Sequence, residues 1–222
     1  MARPDGFDEF EATSLFCPTC RRATPTRKHL LLVLPSGSKY DYRCAECGAG
    51  ATRPVPEDLS RYYPPDYGPH RESAALRPRR GLRRVVDSLA TVIPPLPAGA
   101  RMLEIGCGSG GFLKMLRSSG FDAHGVEPSP EAARLAGASA GPFEPSAYAP
   151  GSFDAVFAWM VLEHARDPVA MIRGIARLLR PRGWIALSVP NLDSWEFAFF
   201  RGAWYDLECP RLLTHFTPSS LT

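Results

Sequence analysis

Leu103-Glu104-Ile105-Gly106-Cys107-Gly108-Ser109-Gly110-Gly111-Phe112-Leu113 is the stretch that sets the architecture. Its leading part, RMLEIG at 101–106, is a short apolar run suited to a buried strand. Its trailing part continues as GFLKMLRSSG, a helix that Gly120 can stop in the left-handed conformation. The glycines between them let the backbone pass close to a ligand and expose amides at the helix N-terminus. Strand, glycine turn and helix in that order imply a nucleotide-like ligand. Gly106, Gly108 and Gly111 also satisfy G-x-G-x-x-G, so a dinucleotide stays open, as does a plain strand-to-helix connection.

Two carboxylates bear on that choice. Glu104 lies inside the strand, where a phosphate-binding turn gains nothing from negative charge but a ligand carrying an amino group does. Glu127 closes the next strand, from which a carboxylate can accept both hydroxyls of a ribose, in either cofactor.

Working outward, the same rhythm recurs. Upstream, Leu82, Val85, Val86, Leu89 and Ile93 share one helical face, which Pro94-Pro95 ends. Downstream, DAHGVE at 122–127 reads as a strand, PEAARLAG at 130–137 as a short helix and FDAVFAW at 153–159 as a strand. Residues 167–183 form a helix with Val169, Ile172, Ile175, Ala176 and Leu179 on one stripe, stopped by Pro-x-Gly, and WIALSVP at 184–190 is a further strand. A strand is also expected within 138–152, despite poor propensity. Alternating strands and helices mean a parallel sheet covered on both faces.

LEIGCGSGGFL, GVEPS, FDAVFAWMVLEHARDP and LLRPRGWIALSVPN, over roughly residues 100–191, resemble in order and spacing the successive motifs of class I S-adenosylmethionine-dependent methyltransferases. The resemblance implies that Glu104 and the backbone of Gly106, Cys107, Gly108 and Gly110 hold the methionine end of S-adenosylmethionine. It implies also that Glu127, with Pro128 beside it, holds the ribose, and that Trp159 and Met160 border the cofactor. The acidic residue that the family often places near the adenine has only Glu144 or the polar Ser146 to answer for it here. Methyl transfer from a sulfonium needs the acceptor positioned and, at times, deprotonated. His164, after the fourth strand, is the first candidate base; shaping of the cofactor pocket by Glu163 and His164 is the alternative.

Cys17-Pro-Thr-Cys20 and Cys44-Ala-Glu-Cys47 are separated by 23 residues. Two such C-x-x-C turns can close a tetrahedral structural zinc site, with a redox dithiol or four unrelated cysteines as the other readings. The zinc would supply folding energy that so small a module cannot draw from a core. Cys107 and Cys209 are left as free thiols. The front end resembles zinc-ribbon methyltransferases of bacterial sugar and polysaccharide pathways, in which a proline-rich strand and a Tyr-Tyr-Pro segment follow the second cysteine pair. Here that is RPVPEDLSRYYPPDYGPH at 53–70, whose Tyr62, Tyr63 and Tyr67 either cover the site or pack on the domain.

The fold class expected is α/β: a Rossmann-like, doubly wound, mainly parallel sheet lacking its last strands, with a small β-rich zinc ribbon in front. Residues 1–52 form the ribbon and a loose arm, 53–80 a Pro/Tyr/Arg-rich connector, and 81–222 the Rossmann-like domain. The end, Ser219-Ser220-Leu221-Thr222, reads as the start of a helix, so truncation is expected. In the tail, Pro210-Arg211-Leu212-Leu213 departs from the family's Pro-Arg-His-Leu, while His215-Phe216-Thr217-Pro218 is intact. His215 serves either the acceptor or packing. Trp195, Phe197, Phe199, Phe200, Trp204 and Tyr205 line an acceptor pocket or form core.

At 222 residues and 45% hydrophobic content, the chain can bury one core with room for a small module. The net charge of +3 is too slight to imply nucleic acid. No apolar run is long enough to span a membrane and no signal peptide is visible, so a cytoplasmic protein with no membrane partner is expected. The acceptor expected is a small molecule, and the family likeness alone implies a sugar or polysaccharide precursor. Two rival classes remain. One is a non-catalytic ligand- or partner-binding protein. The other is a nucleic-acid methyltransferase using Arg71, Arg77, Arg79, Arg80, Arg83 and Arg84, against which stands the absence of N-P-P-Y after the fourth strand.

Overall fold

A computed structural model describes residues 14–34, 37–53, 55–63 and 95–222. The arm at 1–13, Tyr67, the arginines at 71–84 and the helix expected over 82–93 lie outside the described residues. The chain forms two compact units. One comprises Met1–Leu59, Glu163–Pro168 and Pro190–Thr222; the other comprises Ser60–Leu162 and Val169–Val189.

The second unit is built on strands β5 (Arg101–Ile105), β6 (Asp122–Glu127), β7 (Ser139–Ala140), β8 (Phe153–Trp159) and β9 (Leu179–Ser188), in the order β7-β6-β5-β8-β9. Every neighbouring pair is parallel. Helices α1 (Gly111–Ser118), α2 (Pro130–Ala136) and α3 (Pro168–Leu178) make the crossovers. Alternation along β5 splits its side chains between two cores. Met102 joins Leu113 and Leu116 of α1 and Phe157 on one face, while Leu103 and Ile105 join Val126, Val156, Ile175 and Leu178 on the other. Each such large side chain, fully buried, contributes roughly 1.5–3 kcal/mol. The two-faced core is what makes the sheet doubly wound, as expected.

Local signals fix the ends. Ser129 caps α2, accepting from the Ala132 amide, with Pro130 in the first turn and Gly137 left-handed at the C-terminus. The weak strand of 138–152 exists as β7, only two residues long; both are exposed, so no burial extends it. β9 begins earlier than expected, because Leu179 pairs with Phe153 before the register shifts to Ala155 opposite Trp184. The Pro-Arg-Gly turn expected as a stop lies within that irregularity, with Arg182 at φ +66°.

The first unit holds an antiparallel sheet of order β1-β2-β3-β4-β10, formed by β1 (Ser14–Cys17), β2 (Arg22–Leu34), β3 (Gly37–Cys44), β4 (Gly50–Arg53) and β10 (Thr214–His215). The last strand comes from the far end of the chain. Helix α4 (Trp195–Phe200), capped by Ser194, leads to a small core of Leu192, Phe197, Trp204 and Leu207. Among the described residues no helix is long and apolar enough to cross a membrane.

Candidate functional site

In the second unit the carboxyl end of β5 turns sharply. Gly106, Gly108 and Gly110 have φ of +67°, +51° and +83°. A Cβ on Gly106 would come 2.6 Å from Val161 Cγ2, and one on Gly110 would come 2.7 Å from the Ala136 Cα. Gly111 has open space around the Cβ position and no positive φ. The glycines required by geometry are therefore 106, 108 and 110, and the third glycine of G-x-G-x-x-G is not among them.

Glu104 lies opposite Gly125 on β6 and Phe157 on β8. It is 4% exposed, and its Oε2 is buried with no hydrogen-bond partner. Burial pushes its pKa up to about 8; a backbone hydrogen bond from Leu113 offsets this in part, and the neighbouring Glu127 adds to it. A buried carboxylate oxygen left unsatisfied beside the glycine turn fits a cationic donor such as an ammonium. Gly125 is a site residue that sequence reading passed over. A Cβ there would come 2.6 Å from Leu113 Cδ2 and 2.9 Å from Cys107 Sγ. An isolated glycine inside a strand was the available signal.

Glu127, also buried, ties the turn to β6: its Oε2 accepts from the Gly108 amide at 2.9 Å and its Oε1 from the Ser129 amide at 3.0 Å. A carboxylate has capacity for about four such bonds, so two amides do not exclude ligand hydroxyls. Cys107 packs into the core with Met102 and Leu113, and burial first, then Glu104 and Glu127, push its thiol up to about 12. Only its backbone can face a ligand. Pro128 is exposed. Trp159 stacks edge-on against Phe112 at 5.4 Å, its indole Nε1 buried with no partner. Met160 is 44% exposed at φ +55°, a conformation costly for such a side chain. Glu144 and Ser146 are both exposed, and Tyr62 and Tyr63 are half-buried.

In the first unit the four cysteines of the two C-x-x-C turns converge, their sulfurs all within 4.8 Å of one another. Cys17 and Cys47 are 3.6 Å apart and Cys20 and Cys44 3.9 Å. Tetrahedral Zn–S bonds of about 2.3 Å place sulfurs about 3.8 Å apart, so the set fits such an ion. The turns are ordered by backbone bonds, Arg21 to the Cys17 carbonyl at 2.8 Å and Gly48 to that of Cys44 at 3.1 Å. Thr19 Oγ1 lies 3.0 Å from Cys47 Sγ and Thr24 Oγ1 3.2 Å from Cys44 Sγ. These hydroxyls, not singled out from sequence, can donate to thiolates.

The same unit contains Glu163, the candidate base His164, and His215. Glu163 is 1% exposed, with neither carboxylate oxygen partnered. Burial, reinforced by Glu208 and Asp206, pushes it up to about 8. His164 places Nδ1 at 3.1 Å from the Arg211 carbonyl, which can only accept, so the proton sits on Nδ1 and Nε2 carries the basic lone pair. Burial lowers its pKa. His215 is buried in β10, with Nε2 2.8 Å from Thr52 Oγ1, and burial lowers it to about 4. That arrangement fastens β10 to β4, as a packed histidine does. The aromatics divide. Phe197 and Trp204 are core, whereas Trp195, Phe199, Phe200 and Tyr205 are exposed.

Comparison with known proteins gives these features their context. A family model described as a methyltransferase domain matches residues 75–222. The ubiquinone biosynthesis O-methyltransferase of Xanthomonas campestris pv. campestris (strain B100) is 34% identical over 145 residues, covering 59% of this chain and 57% of that protein. The protein of the same name from Bordetella pertussis is 35% identical over 114 residues, covering 46% and 47%. The chain thus spans about half the length of the curated relatives it matches. Among solved structures, a putative methyltransferase from an antibiotic biosynthesis pathway of Anabaena variabilis has a TM-score of 0.45 at 22% identity, covering 56% of this chain and 53% of that one. Since the family model covers most of the chain, including β5 to β10, the chain belongs to the methyltransferase-domain family, that of class I S-adenosylmethionine-dependent enzymes.

Proposed function

We propose that this chain binds S-adenosylmethionine at the β5 turn and transfers its methyl group to a small-molecule acceptor. The observation that carries this reading is the buried, unpartnered Oε2 of Glu104 beside the left-handed glycines. A pyrophosphate carries no donor for that oxygen, whereas the amino group of the methionine moiety would supply it. Glu127 would accept from the ribose hydroxyls, Trp159 and Met160 would border the cofactor, and Gly106, Gly108 and Gly110 would let the backbone approach it. The bound cofactor would supply a methyl group already activated on a sulfonium.

The acceptor we infer is a hydroxyl-bearing small molecule, since the relatives named above are O-methyltransferases of ubiquinone biosynthesis. His164, neutral and with its lone pair on Nε2, is the residue we assign as base for that hydroxyl. A sugar or polysaccharide precursor rests on the front-end resemblance alone. We infer further that the four cysteines hold a structural zinc, because their sulfur spacing matches a closed tetrahedral site.

Isothermal titration with S-adenosylhomocysteine and NAD tests the cofactor. Micromolar binding of the first, lost in Glu104→Gln and in Glu127→Ala, with none of the second, is the expected result. Folded protein that binds neither would end the enzymatic reading. Labelled methyl transfer to phenolic, catecholic and nucleotide-sugar acceptors then separates the acceptor classes.

A further inference from the structure

The ribbon and the tail share more than a sheet edge. The Thr52 amide of β4 donates to the Leu213 carbonyl at 3.1 Å, and the Leu213 amide donates to the Glu163 carbonyl at 2.8 Å. One residue thereby joins the ribbon strand to the loop that carries Glu163 and His164. His164 is itself tied to the Arg211 carbonyl. The second cysteine turn reaches the tail directly: Thr217 Oγ1 donates to the Cys47 carbonyl at 3.3 Å, and a Cβ on Gly48 would come 3.4 Å from Thr217 Oγ1. Charged side chains repeat the pattern. Arg21 pairs with Asp167 at 3.0 Å, Arg43 pairs with Asp193, and Arg166 donates to the Pro56 and Glu57 carbonyls at 3.1 and 3.0 Å.

From these connections we infer that metal occupancy of the four-cysteine site controls the order of the tail and of the Glu163–Pro168 loop, so that the ribbon acts as the positioning element for Glu163 and His164. This rests on the structural-zinc reading above. The physical reason is that, among the described residues, the unit's apolar cluster of Leu192, Phe197, Trp204 and Leu207 lies in the tail and not at the cysteine turns. Without a cross-link to fix Cys44–Gly50, β4 loses its start, and with it go the Thr52 bond to Leu213 and the Thr217 bond to Cys47. The paired Arg–Asp contacts are partly exposed and cannot hold the loop alone. Leu213, Thr52 and Thr217 are thus positioning residues, acting on the candidate base through backbone bonds.

The test is amide hydrogen exchange by NMR on the full chain, purified with zinc and then treated with a chelator, with metal release followed colorimetrically. Release should be accompanied by at least about tenfold faster exchange at Thr52 and Leu213, whose amides bond across the segments, while the β5 and β6 amides keep their protection. Zinc release with no change at Leu213 would overturn the coupling while leaving the zinc reading intact. A chain that neither contains nor takes up zinc would overturn both, and loss of protection through β5 and β6 as well would replace the coupling by general collapse. Thr217→Val keeps all four ligands. It loses the bond to the Cys47 carbonyl together with the cap on the Ser220 amide, and it should retain stoichiometric zinc and accelerate Leu213 exchange by about threefold to tenfold, the effect of about one net hydrogen bond on the coupling; unchanged exchange in that variant would also overturn the inference.

Discussion

The two units close their sites over very different lengths of chain. At the glycine turn, the Gly108 amide meets Glu127 across 19 positions, and Ser129 meets it across two. In the cysteine unit, Thr52 meets His215 across 163 positions and Arg43 meets Asp193 across 150. Closing the longer loop costs about 2 kcal/mol more than the shorter, at about 0.6 kcal/mol per doubling. A single net hydrogen bond returns only about 1 kcal/mol. The short-range site can therefore rest on backbone conformation and two carboxylates, whereas the long-range unit needs many bonds acting together and, on our reading, a metal. Substitutions should accordingly act through backbone strain in the first and through lost partners in the second.

The largest effect is expected at Gly110. Its φ of +83° is costly for a β-branched residue, and its Cβ would meet the Ala136 backbone at 2.7 Å, which cannot swing aside. Gly110→Val should lower unfolding free energy by about 3 kcal/mol or more, read as a reduced urea midpoint. An unchanged midpoint would mean that the turn is not held by backbone geometry, and the contrast between the units would fail.

Glu104→Gln comes next, and its effects on ligand and on stability oppose each other. An ammonium partner lost from a buried carboxylate should weaken S-adenosylhomocysteine binding about a hundredfold, an effect of about 3 kcal/mol. The ligand-free protein should instead gain stability at high pH. Because the folded pKa is raised from 4.5 to about 8, the carboxyl's contribution is fully present below 4.5 and is lost as pH rises through about 8. The wild type should thus lose stability over that window and the variant less so, with Glu163, raised to about 8, leaving a residual slope. Titration of unfolding midpoints from pH 5 to 9 measures both slopes; parallel curves would show Glu104 to be ionised in the free protein.

Thr52→Val probes the long-range unit. It removes the hydroxyl 2.8 Å from the buried His215 and leaves that ring nitrogen without this partner, at a cost of about 1–3 kcal/mol. Acid should lower the stability of parent and variant alike. Burial lowers His215 from 6.5 to about 4, so its contribution is present above 6.5 and lost as pH falls toward 4. Calorimetry at pH 7 and pH 5 reads both, and a variant as stable as the parent would show the Thr52–His215 pair to be incidental to the attachment of β10.

What could be read from the sequence follows the same division. β6 and β8 fall on their expected residues, and α2 stops within one residue of expectation, because apolar alternation, Pro130 and Gly137 are local signals. The convergence of the cysteines was legible for the same reason, as each pair fixes its own turn. β10 was not. Two residues, Thr214 and His215, carry no period, and what makes them a strand is Gly50–Ala51, which sequence places far away. Nor could sequence show Thr24 and Thr19 beside the sulfurs, which depends on how the two cysteine turns and β2 meet, or which exposed and buried roles the tail aromatics take, which depends on the fold of residues 190–222.

The smallest effect returns to the glycine turn. Gly111 begins α1 with no atom near its Cβ position and no left-handed φ, so Gly111→Ala should be neutral or stabilise by up to about 1 kcal/mol through helix propensity and reduced unfolded-state entropy. In the dinucleotide pattern the third glycine is needed for close packing of helix on strand. That requirement makes the modest substitution informative, because it separates two readings of one motif that the glycines alone leave equal. A small gain in urea midpoint with S-adenosylhomocysteine affinity retained would place the essential third glycine at 110 and complete the contrast with Gly110→Val. A loss of 2 kcal/mol or more would mean that α1 approaches its strand more tightly than this geometry shows, and would reopen the dinucleotide reading of the turn.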